Sequence, residues 1–292
     1  MSVAGVTKIE KSNTPIAKNL ILDHNSNMQP FNNIILFNEK FTTMKNRNLF
    51  GINTSKAVIY LSLLLAGLMI LPSCEKIEGE GPVVSEIRNR TGFEGLKVSI
   101  CGQVNFQVAN QYKVELFAQR DVLEVLQTKV DDDILEIKWS KPVNIRNCND
   151  IVLNIAGPDL KSIFTSGSSD IDVSGPVVES TLELGISGSG SIEIDYAEIT
   201  NAIDVRVSGS GNVDIEGGKT KQSEIFLSGS GNIELAKFKM DNADCNISGS
   251  GNITVNVANF LDAHISGSGD IYYYGSPKIE SKISGSGKLR QL

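Results

Sequence analysis

The sequence predicts an all-β chain: a parallel β-helix, or solenoid, of about 18–21 residues per coil, preceded by β-rich N-terminal strands in the same domain. Three observations predict it. Ser-Gly-Ser-Gly begins at Ser187, Ser208, Ser228, Ser248, Ser266 and Ser284, after a degenerate copy at Ser166-Gly167-Ser168-Ser169, with successive spacings of 21, 21, 20, 20, 18 and 18 residues. Aliphatic and polar residues alternate on both sides of each copy, as in the ISGSGSIEI of residues 186–194, which is the period of a half-buried strand. The glycines share the parity of the aliphatic residues: Val205, Val207, Gly209, Gly211, Val213 and Ile215 fall on one face, and Asp204, Arg206, Ser208, Ser210, Asn212 and Asp214 on the other. Glycine on an inward face marks a bend where a Cβ would collide or force a forbidden φ. Seven copies stacked at ~4.8 Å would make a rod roughly 30 Å long. An antiparallel sandwich would instead show turns every 8 to 12 residues or so. The near-identity of the units favours stacking in register.

The elements follow in chain order. Residues 1–43 lack apolar periodicity and read as an upstream extension from a misplaced start codon, with Met44 as the start. Residues 44–74 read as a lipoprotein signal peptide: Lys45, Arg47 and Lys56 precede the apolar run AVIYLSLLLAGLMIL of residues 57–71, whereas a membrane-spanning helix wants about 20 apolar residues. Leu71-Pro72-Ser73-Cys74 resembles a bacterial lipobox, with Pro72 departing from the usual residue, and makes Cys74 the expected lipidation site. Before Cys74 stand 3 acidic and 7 basic side chains, which leaves 31 acids against 20 bases and a charge of −11 on the exported part. That balance repels nucleic acid and anionic headgroups, so the expected membrane contact is the lipid on Cys74. Residues 75–90, beginning EKIEGEGP, read as a polar spacer, and 91–292 as the folded domain, with its repeats from about residue 166.

Within that domain Leu96, Val98 and Ile100, then Val104, Phe106 and Val108, then Val114, Leu116 and Ala118 recur at every second position and predict strands. The DVLEVLQ of residues 121–127 predicts a short helical turn, Asp131-Asp132-Asp133 a turn, and residues 134–139 a further strand. With the lipobox, the Val104-x-Phe106-x-Val108 pattern, the DDDILEI of residues 131–137 and the SGSGNI copies beginning at Ser208, Ser228 and Ser248, the chain resembles the putative auto-transporter adhesin, head GIN domain family of Bacteroidetes-type lipoproteins over about residues 92–290. The resemblance implies a cell-envelope β-helix protein and brings no catalytic residues.

Candidate chemistry is sparse. Cys101 and Cys148 both precede the repeats, and an oxidising compartment permits a disulfide between them. Cys245 has inward parity and reads as a small buried hydrophobe. His264, the histidine of the exported part, is outward, its strand neighbours Ala263 and Ile265 pointing the other way, which argues against Ser-His-Asp or Cys-His catalysis. Cysteine and histidine spacings fit no zinc site. The strand after every Ser-Gly-Ser-Gly excludes a phosphate loop, which needs a helix there, and Gly267-Ser268-Gly269-Asp270 alone hints at calcium-binding repeats. Neither cofactor nor metal is expected.

The outward acids Asp170 and Asp172, Glu193 and Asp195, and Asp214 and Glu216 could serve a polysaccharide-cleaving enzyme. Glu193, Asp214 and Glu234 hold one position in successive coils, however, the pattern of a solvated face. Tyr272 and Tyr274 are outward rings flanking Tyr273, able to stack on a ligand or to cover the end of the rod. The expectation is a non-catalytic binding or adhesion module of the cell envelope, anchored in the outer membrane and facing the periplasm or the outside. It would take a glycan or protein ligand on a face that includes Asp214, Glu216, Tyr272 and Tyr274. The alternatives are an envelope polysaccharide-active enzyme using the outward carboxylates, or a structural scaffold. Oligomeric state is left open.

Overall fold

The computed structural model describes residues 75–292. The expected upstream extension and the signal peptide with Cys74 lie outside the described residues.

The first strands build a cap and a founding coil. β1 (Glu75–Ile77) and β2 (Val84–Ile87) lie in the stretch expected to be a spacer, and the structure corrects that expectation. β1 pairs in parallel with β8 (Val143–Ile145), and β2 pairs antiparallel with β5 (Lys113–Ala118). The apolar residues Ile77 and Val84 draw this segment in; Ile77 is only 7% exposed. β3 (Gly95–Ser99) and β4 (Cys101–Val108) follow, and both carry repeat strands directly: β3 pairs in register with β10 (Ser162–Thr165), β4 with the first half of β11 (Ser168–Gly188). Ser99-Ile100-Cys101-Gly102 therefore occupies the layer beneath the degenerate Ser166 motif. The chain then makes an excursion beneath this coil before the repeats begin at β10.

The excursion closes the end of the stack. α1 (Arg120–Val125) buries Val122, Leu123 and Val125, and Arg88 donates to the carbonyls of Leu123 and Leu126 at its C-terminus at 3.1 and 2.5 Å, answering acceptors a helix end leaves open. β6 (Leu126–Asp131) and β7 (Ile134–Trp139) form an antiparallel hairpin whose two turn residues, Asp132 and Asp133, have φ of +47° and +60°, a two-residue turn that suits the strand twist. β7 lies under β3, and β9 (Val152–Gly157) under β4.

Above this base run β12 (Ser191–Gly209), β13 (Asn212–Ile215), β14 (Gly218–Gly229), β15 (Asn232–Gly249), β16 (Asn252–Gly267), β17 (Ile271–Tyr274), β18 (Lys278–Gly285) and β19 (Leu289–Gln291), all paired in parallel. Seven motif copies delimit about six full turns. The inward parity holds throughout. Ile192, Val213, Ile233, Ile253 and Ile271 form one interior column, each at most 1% exposed, and Leu184, Val205, Ile225, Cys245 and Ala263 form another. Burying each aliphatic side chain contributes about 1.5–3 kcal/mol, and these columns are the main stabilisation of a stack whose coils touch only their neighbours.

The corner between columns is set by glycine. Gly229 has φ of +139°, and a Cβ there would stand 2.1 Å from the carbonyl oxygen of Gly209 in the coil below. The second glycine of the motif is equally confined, since a Cβ on Gly231 would lie 1.9 Å from the carbonyl of Gly211. The close approach lets the Gly209 carbonyl accept from the N–H groups of Ser230 and Gly231 at 2.8 and 3.3 Å. Beyond the corner, the residue after each motif restores the ladder with its side chain: Asn212 Oδ1 accepts from the N–H of Asn232, Asn232 Oδ1 from that of Asn252, Asn252 Oδ1 from that of Asp270, and an Asp270 oxygen from that of Lys288. A side-chain oxygen at this position caps an amide that the corner would otherwise leave unpaired.

Two outcomes follow from the corner. Gly229→Val should lower the melting temperature far more than Glu234→Val, since strain and overpacking cost about 1–3 kcal/mol while exposed substitutions stay within about 0.5 kcal/mol; equal shifts would overturn the parity. Asn232→Ala leaves the exposed Asn252 amide to water in place of its acceptor, a loss of about 0.5–1.5 kcal/mol. Asn232→Asp, which keeps the oxygen as Asp270 does naturally, should melt closer to the parent in the same thermal scans.

Candidate functional site

The face before each Ser-Gly-Ser-Gly corner carries three outward columns in register. The first is acidic in six successive coils: Glu183, Asp204, Glu224, Asp244, Asp262 and Glu280. The third is serine, running from Ser187 through Ser208, Ser228, Ser248 and Ser266 to Ser284, all exposed. Between them runs a mixed column of Lys97, Phe164, Gly185, Arg206, Phe226, Asn246, His264 and Lys282. Period-two alternation puts these side chains on one surface, and the parallel ladder repeats them at ~4.8 Å.

Two open grooves lie on the strip. One, about 330 Å³, is bounded by Phe164, Gly185, Arg206 and Ser187. Gly185 makes room for it, because a Cβ there would meet the Phe164 ring at 2.5 Å. The other, about 420 Å³, is bounded by Phe226, Asn246, His264, Lys282 and the serines of four coils. Arg206 stands between them with its guanidinium 4.4 Å from the centre of the Phe226 ring, and it pairs with Asp204 at 2.5 Å and Glu224 at 3.7 Å. Cation–π contact and two carboxylates hold an otherwise mobile side chain flat on the sheet.

Sequence reasoning placed His264 outward without noticing that Asp262 and Ser266, two residues to either side, share its face. His264 Nδ1 lies 3.3 Å from an Asp262 carboxylate oxygen, but without hydrogen-bonding geometry. Among the described residues no hydrogen bond joins His264 to a serine hydroxyl, so the row supplies acid, base and hydroxyl without the contacts a nucleophile needs. Also among the described residues, no group of three or more His, Cys, Asp or Glu is placed to hold a metal ion.

The residues singled out from the sequence lie on the next face, past the corner. Asp214 stacks between Glu193 and Glu234, and three coils above it the same column holds Tyr272, whose hydroxyl donates to Asp270 at 3.2 Å. Glu216 is ion-paired with Lys237, and Tyr274, 40% exposed, stands in a separate column beside Asn256. Asp214 and Glu216 line neither groove. The tyrosines do not close the rod: β19 stacks on them, Arg290 over Tyr272 and Gln291 over Tyr273. Burial, then the charges of Glu216, Glu234 and Glu193, push the Asp214 carboxyl up to about 6. Cys101 and Cys148 are joined in a disulfide with Cα atoms 5.5 Å apart, fastening the founding coil to the excursion. Cys245 is fully buried in an interior column, and burial pushes its thiol far above the ordinary range.

A filled parallel stack, closed at one end by an antiparallel cap and presenting ordered polar columns outward, is a β-solenoid whose accessible chemistry lies on its exterior. The chain belongs to the putative auto-transporter adhesin, head GIN domain family, whose model matches residues 92–277. Solved structures share the fold. A putative adhesin from Bacteroides fragilis is 21% identical with a TM-score of 0.70, covering 74% of this chain and 100% of that one. A putative lipid binding protein from Parabacteroides distasonis is 22% identical with a TM-score of 0.60, covering 75% and 100%. A putative adhesin from Parabacteroides merdae is 16% identical with a TM-score of 0.59, covering 75% and 100%. No curated protein matches the sequence.

The raised Asp214 carboxyl has a consequence for stability. A pKa higher in the folded state than in the unfolded chain stabilises fully below about pH 4, and the benefit is lost as pH rises through about 6. Asp214→Asn should therefore raise the melting temperature at pH 7.5 and leave it nearly unchanged at pH 4. Thermal scans at both pH values check it, and a larger gain at the acid pH would reverse the assignment.

Proposed function

We propose that this protein is a non-catalytic adhesion module of the cell envelope, tethered to the outer membrane by a lipid on Cys74. It holds a glycan along the strip of acidic, mixed and serine columns. The observation that carries the reading is the repetition of one donor and acceptor set, coil after coil, beside the two grooves. A linear polymer lying along the axis meets the same serine hydroxyls and carboxylates at every ~4.8 Å, with Phe164 and Phe226 offering ring surface and Arg206 a fixed cation. An enclosed small-molecule site would converge on one point; here the chemistry is spread along a line. Family membership and the adhesin names of two structural relatives agree with this. The lipid binding named for a third relative does not carry over to the interior of this stack, whose columns below the last layer are filled by buried side chains such as Ile225, Leu227, Ile233 and Ile253, each at most 1% exposed.

A second reading, an envelope polysaccharide-active enzyme, draws on one observation: burial and the neighbouring carboxylates push Asp214 up to about 6, and a raised carboxyl is what a general acid requires. That column lines neither groove, which favours the adhesion reading.

The test is to offer the protein, from Glu75 onward, to panels of glycans, matrix proteins and cells. Saturable glycan binding is expected. Phe226→Ala and Arg206→Ala should each weaken it about tenfold, while Asp214→Asn leaves it intact. Absence of saturable binding would overturn the proposal. Turnover of a polysaccharide, abolished by Asp214→Asn, would establish the enzyme instead, and binding only to matrix proteins would replace the glycan with a protein ligand.

A further inference from the structure

The last layer of the stack keeps the interior pattern but not the burial. β18 continues the inward columns, Ile279 over Leu261 and Ile283 over Ile265. Leu261 and Ile265 are 0% and 2% exposed, whereas Ile279 and Ile283 are 36% and 44% exposed. β18 pairs with β16 on one edge, and among the described residues no strand pairs with its other edge. At the opposite end the equivalent interior is covered by α1 and the β6–β7 hairpin. An exposed edge strand with apolar residues on its core side is a template for pairing with another chain.

The sequence of β18 identifies that chain. Laid antiparallel against a second copy of itself about Ser281, the strand KIESKIS matches at every position: Glu280 faces Lys282, Ile279 faces Ile283, Lys278 faces Ser284, and Ser281 faces its own counterpart. Charges meet opposites twice, by symmetry, and the half-exposed isoleucines cover one another. Lysines on an edge strand commonly block such pairing. Here Glu280 sits between two of them, held to Lys278 at 3.1 Å, and among the described residues no carboxylate lies within ion-pair distance of Lys282. The geometry points to a two-fold, end-to-end dimer in which β18 strands of two copies pair antiparallel, extending the two solenoids into one rod with a cap at each end. This is an isologous interface, self-complementary by construction, and it is independent of the ligand strip.

The charges make the inference testable without relying on a disruptive variant. In the full chain, Glu280→Lys places lysine opposite Lys282 at both symmetric contacts, and Lys282→Glu places glutamate opposite Glu280. Each variant alone should self-associate at least tenfold more weakly than the parent in analytical ultracentrifugation. Mixing the two, differently tagged, restores complementarity at both contacts, so they should co-purify as a heterodimer, and the double variant Glu280→Lys/Lys282→Glu should recover parental self-association. The inference is overturned if the parent stays monomeric, if the single variants associate like the parent, or if neither the mixture nor the double variant recovers association. Folding is read separately from the thermal melts, so a misfolded single variant cannot imitate the expected rescue.

Discussion

Everything above the cap depends on one close approach, that of a glycine carbonyl to the glycine of the next coil. At the Gly209, Gly229 and Gly249 corners a Cβ would have to sit 2.1–2.3 Å from the carbonyl oxygen below, and φ lies in the left-handed region at each. No other residue satisfies both conditions. The spacing along the stack is set by strand hydrogen bonds, so a bulkier corner could be accommodated only by opening the ladder on both sides. The serines of the motif follow from the same constraint: they take the alternate, outward parity, where a small hydroxyl remains wetted beside a bend that leaves little lateral room. The asparagine after the motif follows in turn, because the corner interrupts the regular exchange of backbone hydrogen bonds and an acceptor on a short side chain repairs it.

A stack fixed in this way confines chemical variation to the outward columns. The interior tolerates Leu, Val, Ile, Cys or Ala at one position, differing in volume but not in polarity, while the adjoining outward column runs from Phe164 through Arg206 and His264 to Lys282. In-register stacking has an electrostatic cost there. Like charges one coil apart repel by roughly 1 kcal/mol in water and more where solvent is displaced. On the acidic column the cost is offset by Arg206, which pairs with carboxylates of two coils, and by donors such as Asn246, which hydrogen-bonds Asp244. On the next face Glu193, Asp214 and Glu234 have Lys237 nearby, and it is hydrogen-bonded to Glu216. The two faces therefore bear acids in different states of compensation, and both grooves described above lie on the compensated one.

The repeat architecture was legible because its signals are local: period-two parity and glycine parity identify the inward face in any single coil, and identical spacing stacks the coils. The helical turn at 120–125 and the turn at Asp131 to Asp133 were legible for the same reason. What could not be read was the pairing between distant segments. The strands of residues 95–108 look like any half-buried strands, and nothing local says that they form the coil beneath residue 162, with the whole excursion of residues 109–157 between. The polar residues of 75–90 resembled a spacer, and their incorporation depends on Ile77 finding β8 and on β2 finding β5, contacts with no sequence period. The strip of acidic, mixed and serine columns was illegible for a different reason. Asp214 and its column are acids close after the motif, while the acids from Glu183 to Glu280 lie four residues before it, on a face whose grooves are bounded by Phe164 beside Gly185 and by Phe226. Parity alone placed His264 correctly, and would have placed Asp262 and Ser266 beside it.

The two ends of the stack are unlike, and that asymmetry follows from how a solenoid distributes stability. Each coil gains from its neighbours alone, so a terminal coil loses half its interface unless something replaces it. At the N-terminal side the replacement is made from the chain itself: α1, the hairpin, and a disulfide that closes a loop between positions 47 apart, worth about 4 kcal/mol by the loop-entropy model. The cap departs from the repeats at two antiparallel pairings, β5–β9 and β6–β7, and β2 pairs antiparallel with β5 in turn. At the other side the ladder ends in the repeat direction, with β18 offering the same edge that every earlier coil offers to its successor. One more repeat recreates the edge it covers, so an end is closed only by structure outside the repeat: the excursion does this at the cap, and in the dimer inferred above the β18 strand of a second copy does it at the other end.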